Sequence, residues 1–481
     1  MTAGFPLRVA ATSLLSGSVL LTGCTVGPNY KKPVVNTPAA YRGAPTLHPD
    51  IHTESTTEPA WPETFKDPTL QRLVLTALKN NQDVAVGAAR IEQARAEFEL
   101  ASRQQYPDLQ GQAGFADQRL SQEGLPGDKV NGNPEGSATF GALNLGWEFD
   151  FWGKYRRMRE AARARFLATE AAQQAVRISL ISAVASDYFQ LRAFDAELKT
   201  AQQSLALRQQ SLTLTEAREK GGVASLLDVR QAQTLVTEAK RAITNLEQEI
   251  PLMENQLRLL LGENPGPISR GLPLAAQNIP AIPAGLPSQL LERRPDIRQA
   301  EENLRAANAD IGVVRADLFP NIGLTSSVGT ESSAVSNFLS PNATSWLVQP
   351  TIDLPIFTAG RIQAREHEAT SAEQAELHAY KATVLGAFQQ VSDALIARQK
   401  AQELLLEQKH QVEIAQDAAF LSRARYKGGV ANYLEVIETE RTSLAAKLAL
   451  AQAEYDELNS SVQLYRALGG GWRGQPISGN P

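Results

Sequence analysis

The chain has 481 residues, 47 basic against 52 acidic side chains, and a single cysteine. A net charge of −5 without a strong basic cluster gives no footing for a nucleic-acid partner, and one thiol excludes an internal disulfide framework. The length would hold two or three ordinary domains, but the two halves are so alike in pattern that one interleaved domain is the expectation.

In chain order, an apolar run from Val9 to Leu21 follows Arg8 and ends beside Cys24, the layout of a secretion signal. It is short for a membrane span. Leu21-Thr22-Gly23-Cys24 resembles the lipobox of a bacterial lipoprotein, which implies removal of residues 1–23 and acylation of Cys24. Several acyl chains, at about 0.8 kcal/mol per buried methylene, would hold that end in a membrane. The stretch from Cys24 to about Trp61 is rich in Pro, Thr and Ser and has no apolar period, so it reads as a tether laid along a surface.

From Leu70 to Gln104 the apolar and Ala positions Leu73, Ala77, Val84, Ala88, Ile91, Ala94 and Phe98 predict a helix that ends at Tyr106-Pro107. Leu286 to Leu318 repeats it and ends at Phe319-Pro320. Period two follows each proline. In Ala142 to Phe151 the residues Leu143, Leu145, Trp147, Phe149 and Phe151 oppose Asn144, Gly146, Glu148 and Asp150. In the second copy Val348, Ile352 and Leu354 oppose Gln349, Thr351 and Asp353, and Ile322, Leu324 and Val328 oppose Asn321, Gly323, Thr325 and Ser327. The wet faces hold small polar residues in place of the Lys and Glu of an open sheet surface, which favours a water-filled lumen. With Trp147, Trp152, Trp346 and Phe357 near the ends, these fit strands of a transmembrane barrel. Four strands cannot close a barrel, and an open edge in lipid leaves backbone groups unpaired, so the chain must oligomerise to insert.

Lys154 to about Lys220 contains no proline and predicts one helix of roughly 100 Å. Gly221-Gly222 then turns the chain. Beyond the turn Ala239, Ile243, Leu246, Ile250, Met253, Leu257 and Leu260 alternate spacings of four and three, the seam of a coiled coil, with Pro251 expected to interrupt or kink it. The pattern then returns: Lys220-Gly221-Gly222-Val223-Ala224 recurs as Lys427-Gly428-Gly429-Val430-Ala431, a shift of 207 (427 − 220) that also carries Gly153 onto Gly360 and Leu261-Gly262 onto Leu468-Gly469. Asp83 and Pro107 match Asp296 and Pro320 at a shift of 213, so the six-residue difference falls in a loop between Pro107 and Gly153. The fold class expected is mixed α and β with an internal two-fold repeat.

Gly-Cys-Thr-Val-Gly-Pro-Asn-Tyr at residues 23–30, Arg293-Arg294-Pro295-Asp296-Ile297, Phe319-Pro320, and Ile356-Phe357 leading to Gly360-Arg361 resemble NodT-type outer membrane factors, the TolC-like exit ducts of tripartite efflux pumps. The resemblance covers essentially the whole mature chain. It implies a homotrimer in the outer membrane, four transmembrane β-strands per chain making a twelve-stranded barrel, and long coiled-coil helices making a periplasmic α-barrel. The boundaries that follow are 1–23 for the signal, 24–69 for the lipidated tether and equatorial segment, 70–262 for the first repeat, 263–286 for an equatorial linker, 287–469 for the second repeat and 470–481 for the tail.

By the same resemblance Gly221, Gly222, Val223, Gly428, Gly429 and Val430 would be the tips that dock a periplasmic adaptor protein. Glu435 and Glu438, three apart on one helix face, would ring the periplasmic aperture with carboxylates. Tyr426 and Asp228 match positions that latch neighbouring helices, whereas Ala431 stands where some relatives carry a latch arginine, which predicts a weaker or different latch. An inner-membrane transporter, expected to be of the resistance-nodulation-division type with other transporter superfamilies and protein secretion systems left open, would supply energy and selection. No enzyme constellation, cofactor or metal site emerges: His367-Glu368 opens like a zinc-protease helix, but Ser371 stands where the second His is required. The rival is a periplasmic coiled-coil scaffold, which would have no use for strands with a wet face.

Overall fold

The computed structural model describes residues 25–43, 61–119, 135–277 and 287–470. The expected signal, Cys24, the end of the linker and the tail from residue 471 lie outside them. Twelve principal elements follow in order: α1 (Pro68–Asn80), α2 (Gln82–Arg103), β1 (Asp108–Arg119), β2 (Glu135–Glu148), α3 (Lys154–Lys220), α4 (Leu226–Leu260), α5 (Pro287–Arg293), α6 (Pro295–Ala316), β3 (Asn321–Ser332), β4 (Thr344–Asp353), α7 (Arg361–Lys427) and α8 (Tyr433–Ala467). Lengths recur in pairs. Helices α2 and α6 have 22 residues each, α3 and α7 have 67, and α4 and α8 have 35.

Two of the expected helices are broken where side chains intervene. Asn81 separates α1 from α2: its Oδ1 accepts from Asp83 N at 2.9 Å and Val84 N at 3.2 Å, and its Nδ2 donates to Leu260 O at 3.0 Å. The residue caps the second helix and cannot also continue the first. Arg294 separates α5 from α6 because it precedes Pro295, whose ring disfavours helical backbone one residue earlier. Helix α4, by contrast, runs without a break through Pro251. Its seam positions Ala239, Leu246 and Leu257 are buried.

One compact unit comprises the residues up to Pro33, Ile91–Thr169 and Ala300–Tyr380. It holds a four-stranded antiparallel sheet in the order β1-β2-β3-β4. Strand β2 begins earlier than the alternation suggested and stops at Glu148, so Phe149 and Phe151 lie beyond it, as Leu354 lies beyond β4. Phe149 N still donates to Ile322 O at 2.8 Å. The register places Leu109, Leu143, Leu145, Trp147, Leu324, Val328, Trp346, Val348 and Ile352 on one face, and Gln110, Gln112, Asn144, Thr325, Ser327, Gln349 and Thr351 on the other. Phe140 and Leu347 are exceptions on the polar face, and Gly114 opposite Phe140 leaves room for its ring. Trp346 and Ile352 are 75% and 70% exposed. The same unit holds the N-terminal motif as a strap: Val26 N donates to Trp152 O at 3.0 Å, buried Arg157 donates to Asn29 Oδ1 at 2.8 Å, and Gly27, at φ +98°, lies against the Gly312 backbone.

The other unit comprises Val34–Arg90, Glu170–Gln299 and Lys381–Pro481, described in part. Its first knot is Asp67, the N-cap of α1, which is 1% exposed. The carboxylate accepts from Thr69 N at 2.8 Å, Tyr188 OH at 2.8 Å, Leu272 N at 2.9 Å and Gln277 Nε2 at 2.7 Å. A side chain on Gly271 would collide with it. Its second knot explains the Arg293-Arg294-Pro295-Asp296 motif. Buried Arg294 grips Asp296 through two bonds, at 2.9 and 2.6 Å, and donates to Ala467 O at 2.8 Å where α8 ends.

Burial raises the Asp67 carboxyl, but its hydrogen bonds from Gln277, Tyr188, Thr69 and Leu272 outweigh this and hold it below the usual carboxylate range. A folded value below the unfolded one means that the ionised group stabilises the fold above about pH 4 and that this is lost as pH falls through the lower folded value. Asp67→Asn is therefore expected to lower the melting temperature at pH 7 and to flatten the acid limb of the stability profile below about pH 4. An unchanged acid limb in thermal melts would relieve this carboxylate of the role.

Candidate functional site: the two helical turns

Helices α3 and α7 both end on left-handed glycines, Gly222 at φ +73° and Gly429 at φ +76°. Val223 N bonds Arg218 O at 2.8 Å and Gly222 N bonds Glu219 O at 2.9 Å; Val430 N bonds Arg425 O at 3.1 Å and Gly429 N bonds Tyr426 O at 3.0 Å. Both ends are thus Schellman motifs, in which only glycine takes the left-handed position without strain. The turns push apolar side chains outward: Val223 and Val430 are each 70% exposed, and Leu226, Leu227 and Leu434 are exposed beside them. Together these exposed residues form two small apolar knobs on a polar scaffold.

The next helices start on caps related by the same shift of 207, Ser225 for α4 and Asn432 for α8. Asp228 and Glu435 occupy equivalent third positions but behave differently. Asp228 Oδ2 accepts from Ser225 N and from Ser225 Oγ, both at 2.9 Å, completing a capping box. Glu435 donates its backbone N–H to Asn432 Oδ1 at 3.1 Å and sends its carboxylate to Arg425, at 3.5 Å. Glu438 is exposed on the same helix. The longer Glu side chain reaches across the turn where Asp closes on its own cap.

Tyr426 is brought into the same region as Asp228 but not onto it. Its ring is buried against Tyr433, with centroids 5.1 Å apart, in a cluster with Ala232, Leu235, Val436, Ile437 and Leu212. Its hydroxyl has no hydrogen-bond partner among the described residues. Arg218 covers the ring, its guanidinium carbon 4.5 Å from the centroid, and donates to Tyr426 O at 2.7 Å. Glu238 on α4 meets Arg441 on α8 at 2.5 Å, and Arg423 meets Glu440 at 3.1 Å. The sequence reading missed Arg218, Arg425, Glu238 and Arg441. The repeat held part of the signal, since Arg218 and Arg425 are equivalent positions under the shift of 207.

Among the described residues no helix is long and apolar enough to cross a membrane, and no cluster of His, Cys, Asp and Glu could hold a metal. The family model for outer membrane efflux proteins matches residues 73–263 and 286–470. The chain belongs to the outer membrane efflux protein family. This efflux protein is 35% identical over 477 residues, 97% of each chain, to the probable efflux pump outer membrane protein TtgC of Pseudomonas putida. It is 33% identical over 457 residues to the cation efflux system protein CusC of Escherichia coli K12, covering 94% of this chain and 98% of the relative. Its fold superposes on the open state of the Neisseria gonorrhoeae MtrE outer membrane channel with a TM-score of 0.83 at 31% identity, covering 93% of this chain and 98% of the other. It is an outer-membrane efflux channel.

Because the capping box is local, Asp228→Ala in the efflux protein is expected to lower thermal stability by about 1 kcal/mol. Tyr426→Phe removes a hydroxyl without a partner among the described residues and should change it by less than about 0.5 kcal/mol. A large loss for Tyr426→Phe in detergent melts would place that hydroxyl in a bond to another chain.

Proposed function

We propose that this outer-membrane channel is the passive exit duct of a tripartite pump, assembled from three copies that each contribute four strands to a twelve-stranded barrel and two hairpins, α3–α4 and α7–α8, to a periplasmic helical barrel. One observation carries the proposal: the sheet has an apolar face, a polar face and two outer edges, on β1 and β4, with no partner strand among the described residues. In lipid such edges leave backbone groups unpaired at several kcal/mol each, and closure with further copies removes them. The duplicated halves, residues 70–262 and 287–469, would supply two similar hairpins per copy, and acylated Cys24 would anchor the tether to the same membrane. A scaffold would gain nothing from a wet strand face.

Energy and selection would come from an inner-membrane transporter and its adaptor, with the duct opening as a population shift when the adaptor binds the open turns better than the closed ones. The chain is similarly close to a relative from a cation efflux system and to one from a probable efflux pump, which fits a duct that leaves selection upstream. Gly221, Gly222, Val223, Gly428, Gly429 and Val430 would be the docking tips, since the exposed knobs on Val223 and Val430 are what an apolar adaptor groove would cover. Three copies of Glu435 and Glu438 would line the aperture. Arg425 would partly offset Glu435, leaving Glu438 the stronger contributor to the field.

Single-channel recording of the lipidated protein in planar bilayers is expected to give discrete, cation-preferring channels whose preference falls in Glu435→Gln/Glu438→Gln. Absence of channels under every condition would move the assignment to a pore that exists only when docked, or to the scaffold. A cysteine placed at Gly222 or Gly429 should crosslink to the cognate adaptor, and crosslinks found only from the middle of α3 or α7 would contradict docking at the turns.

A further inference from the structure

We infer that Arg218 couples the two turns of one chain, so that a displacement imposed on either turn is carried to the other. The inference rests on the proposed role of the turns as the docking and gating end, and it names the side chain through which that end is regulated.

Arg218 and Arg425 hold equivalent places four residues before their left-handed glycines, but the two copies have diverged. Arg425 stays within its own hairpin and faces Glu435 at 3.5 Å, with both side chains about half exposed. Solvent screens such a pair and leaves it little strength. Arg218 instead crosses from the end of α3 to the end of α7. It uses two features of one residue, the face of the Tyr426 ring and the Tyr426 carbonyl. That carbonyl is also the acceptor for Gly429 N, the bond that closes the second turn. The guanidinium of the first hairpin is therefore bonded to the turn geometry of the second.

The acceptor side is a neutral backbone carbonyl and a ring face, so the clamp depends on where the guanidinium sits. Beneath it the contacts continue between the hairpins. Ser211 Oγ on α3 meets Tyr433 OH on α8 at 3.4 Å, Leu212 packs on the tyrosine cluster, and Glu238 on α4 meets Arg441 on α8. The clamp has no mirror image. The position equivalent to Tyr426 in the first repeat is Glu219, which offers no aromatic face. At the turns themselves the clamp is one cation placed over one ring, a contact lysine cannot reproduce with the same planar fit.

The test is hydrogen exchange measured by mass spectrometry on the full-length, lipidated protein in lipid nanodiscs, comparing wild type with Arg218→Ala, Arg218→Lys and Arg425→Ala. Arg218→Ala is expected to speed exchange roughly tenfold both in residues 212–222 and, across the clamp, in residues 420–430. Arg218→Lys should fall between, and Arg425→Ala should change only residues 420–438. Faster exchange confined to residues 212–222 in Arg218→Ala would overturn the coupling, and so would an effect of Arg425→Ala on residues 212–222 equal to that of Arg218→Ala. If Arg218→Ala fails to assemble, Arg218→Lys alone decides by the same two segments. Bilayer conductance of the wild type is recorded in parallel: a wild type without channels would remove the duct, whereas the exchange pattern reports on the clamp whether or not ions flow.

Discussion

A β-sheet placed in lipid would have no water to satisfy its edges, and the proposed barrel rests on that constraint. Strands β1 and β4 each present an outer row of N–H and C=O groups, while the large apolar residues of the four strands, Phe140 and Leu347 excepted, line one face and Gln110, Gln112, Asn144, Gln349 and Thr351 the other. Such a sheet is an incomplete object. Pro350 shows the same logic in miniature, because a residue without an N–H is tolerated in an edge strand such as β4. The proposed trimer answers the edge requirement with copies of the same chain, and the internal duplication halves the number of chains needed for a given count of strands.

Duplication also fixes the helices. Two helices of 67 residues and two of 35 are too long to owe their stability to propensity alone, and each needs a definite end. Glycine at the left-handed position and a capping side chain three residues later provide those ends twice, in nearly the same geometry. Equal backbones then carry unequal side chains. Asp228 closes on Ser225 while Glu435 reaches Arg425, and Arg218 leaves its own hairpin while Arg425 does not. Two copies of a turn, once present in one chain, are free to take different roles because each keeps its shape through glycine and N-cap and not through its arginine.

The family motifs have a mechanical reading that needs no reference to function. The segment from Val26 to Tyr30 is a strap held by Arg157 and by the Gly312 backbone, and the Arg294-Pro295-Asp296 run ties the start of α6 to the end of α8. Asp67 gathers the start of α1, Tyr188 of α3 and the segment from Gly271 to Gln277 at one carboxylate.

Period and punctuation are local, so the sequence by itself determined the long helix from Lys154 to Lys220, the turns at Gly221-Gly222 and Gly428-Gly429, the two-faced strands and the repeat that relates them. Its errors were also local ones with distant causes. Asn81 breaks a helix because its amide reaches Leu260 O, 179 residues away, and the strand β2 extends to Glu135 because β1 is there to pair with it. The tertiary structure alone decided which partner each polar group takes. Arg218 meets a carbonyl 208 positions further along the chain, and Asp67 collects donors from three separate segments. Hydrogen bonds act over about 3 Å, and no spacing rule along the chain can state which distant segments the fold will bring within that reach.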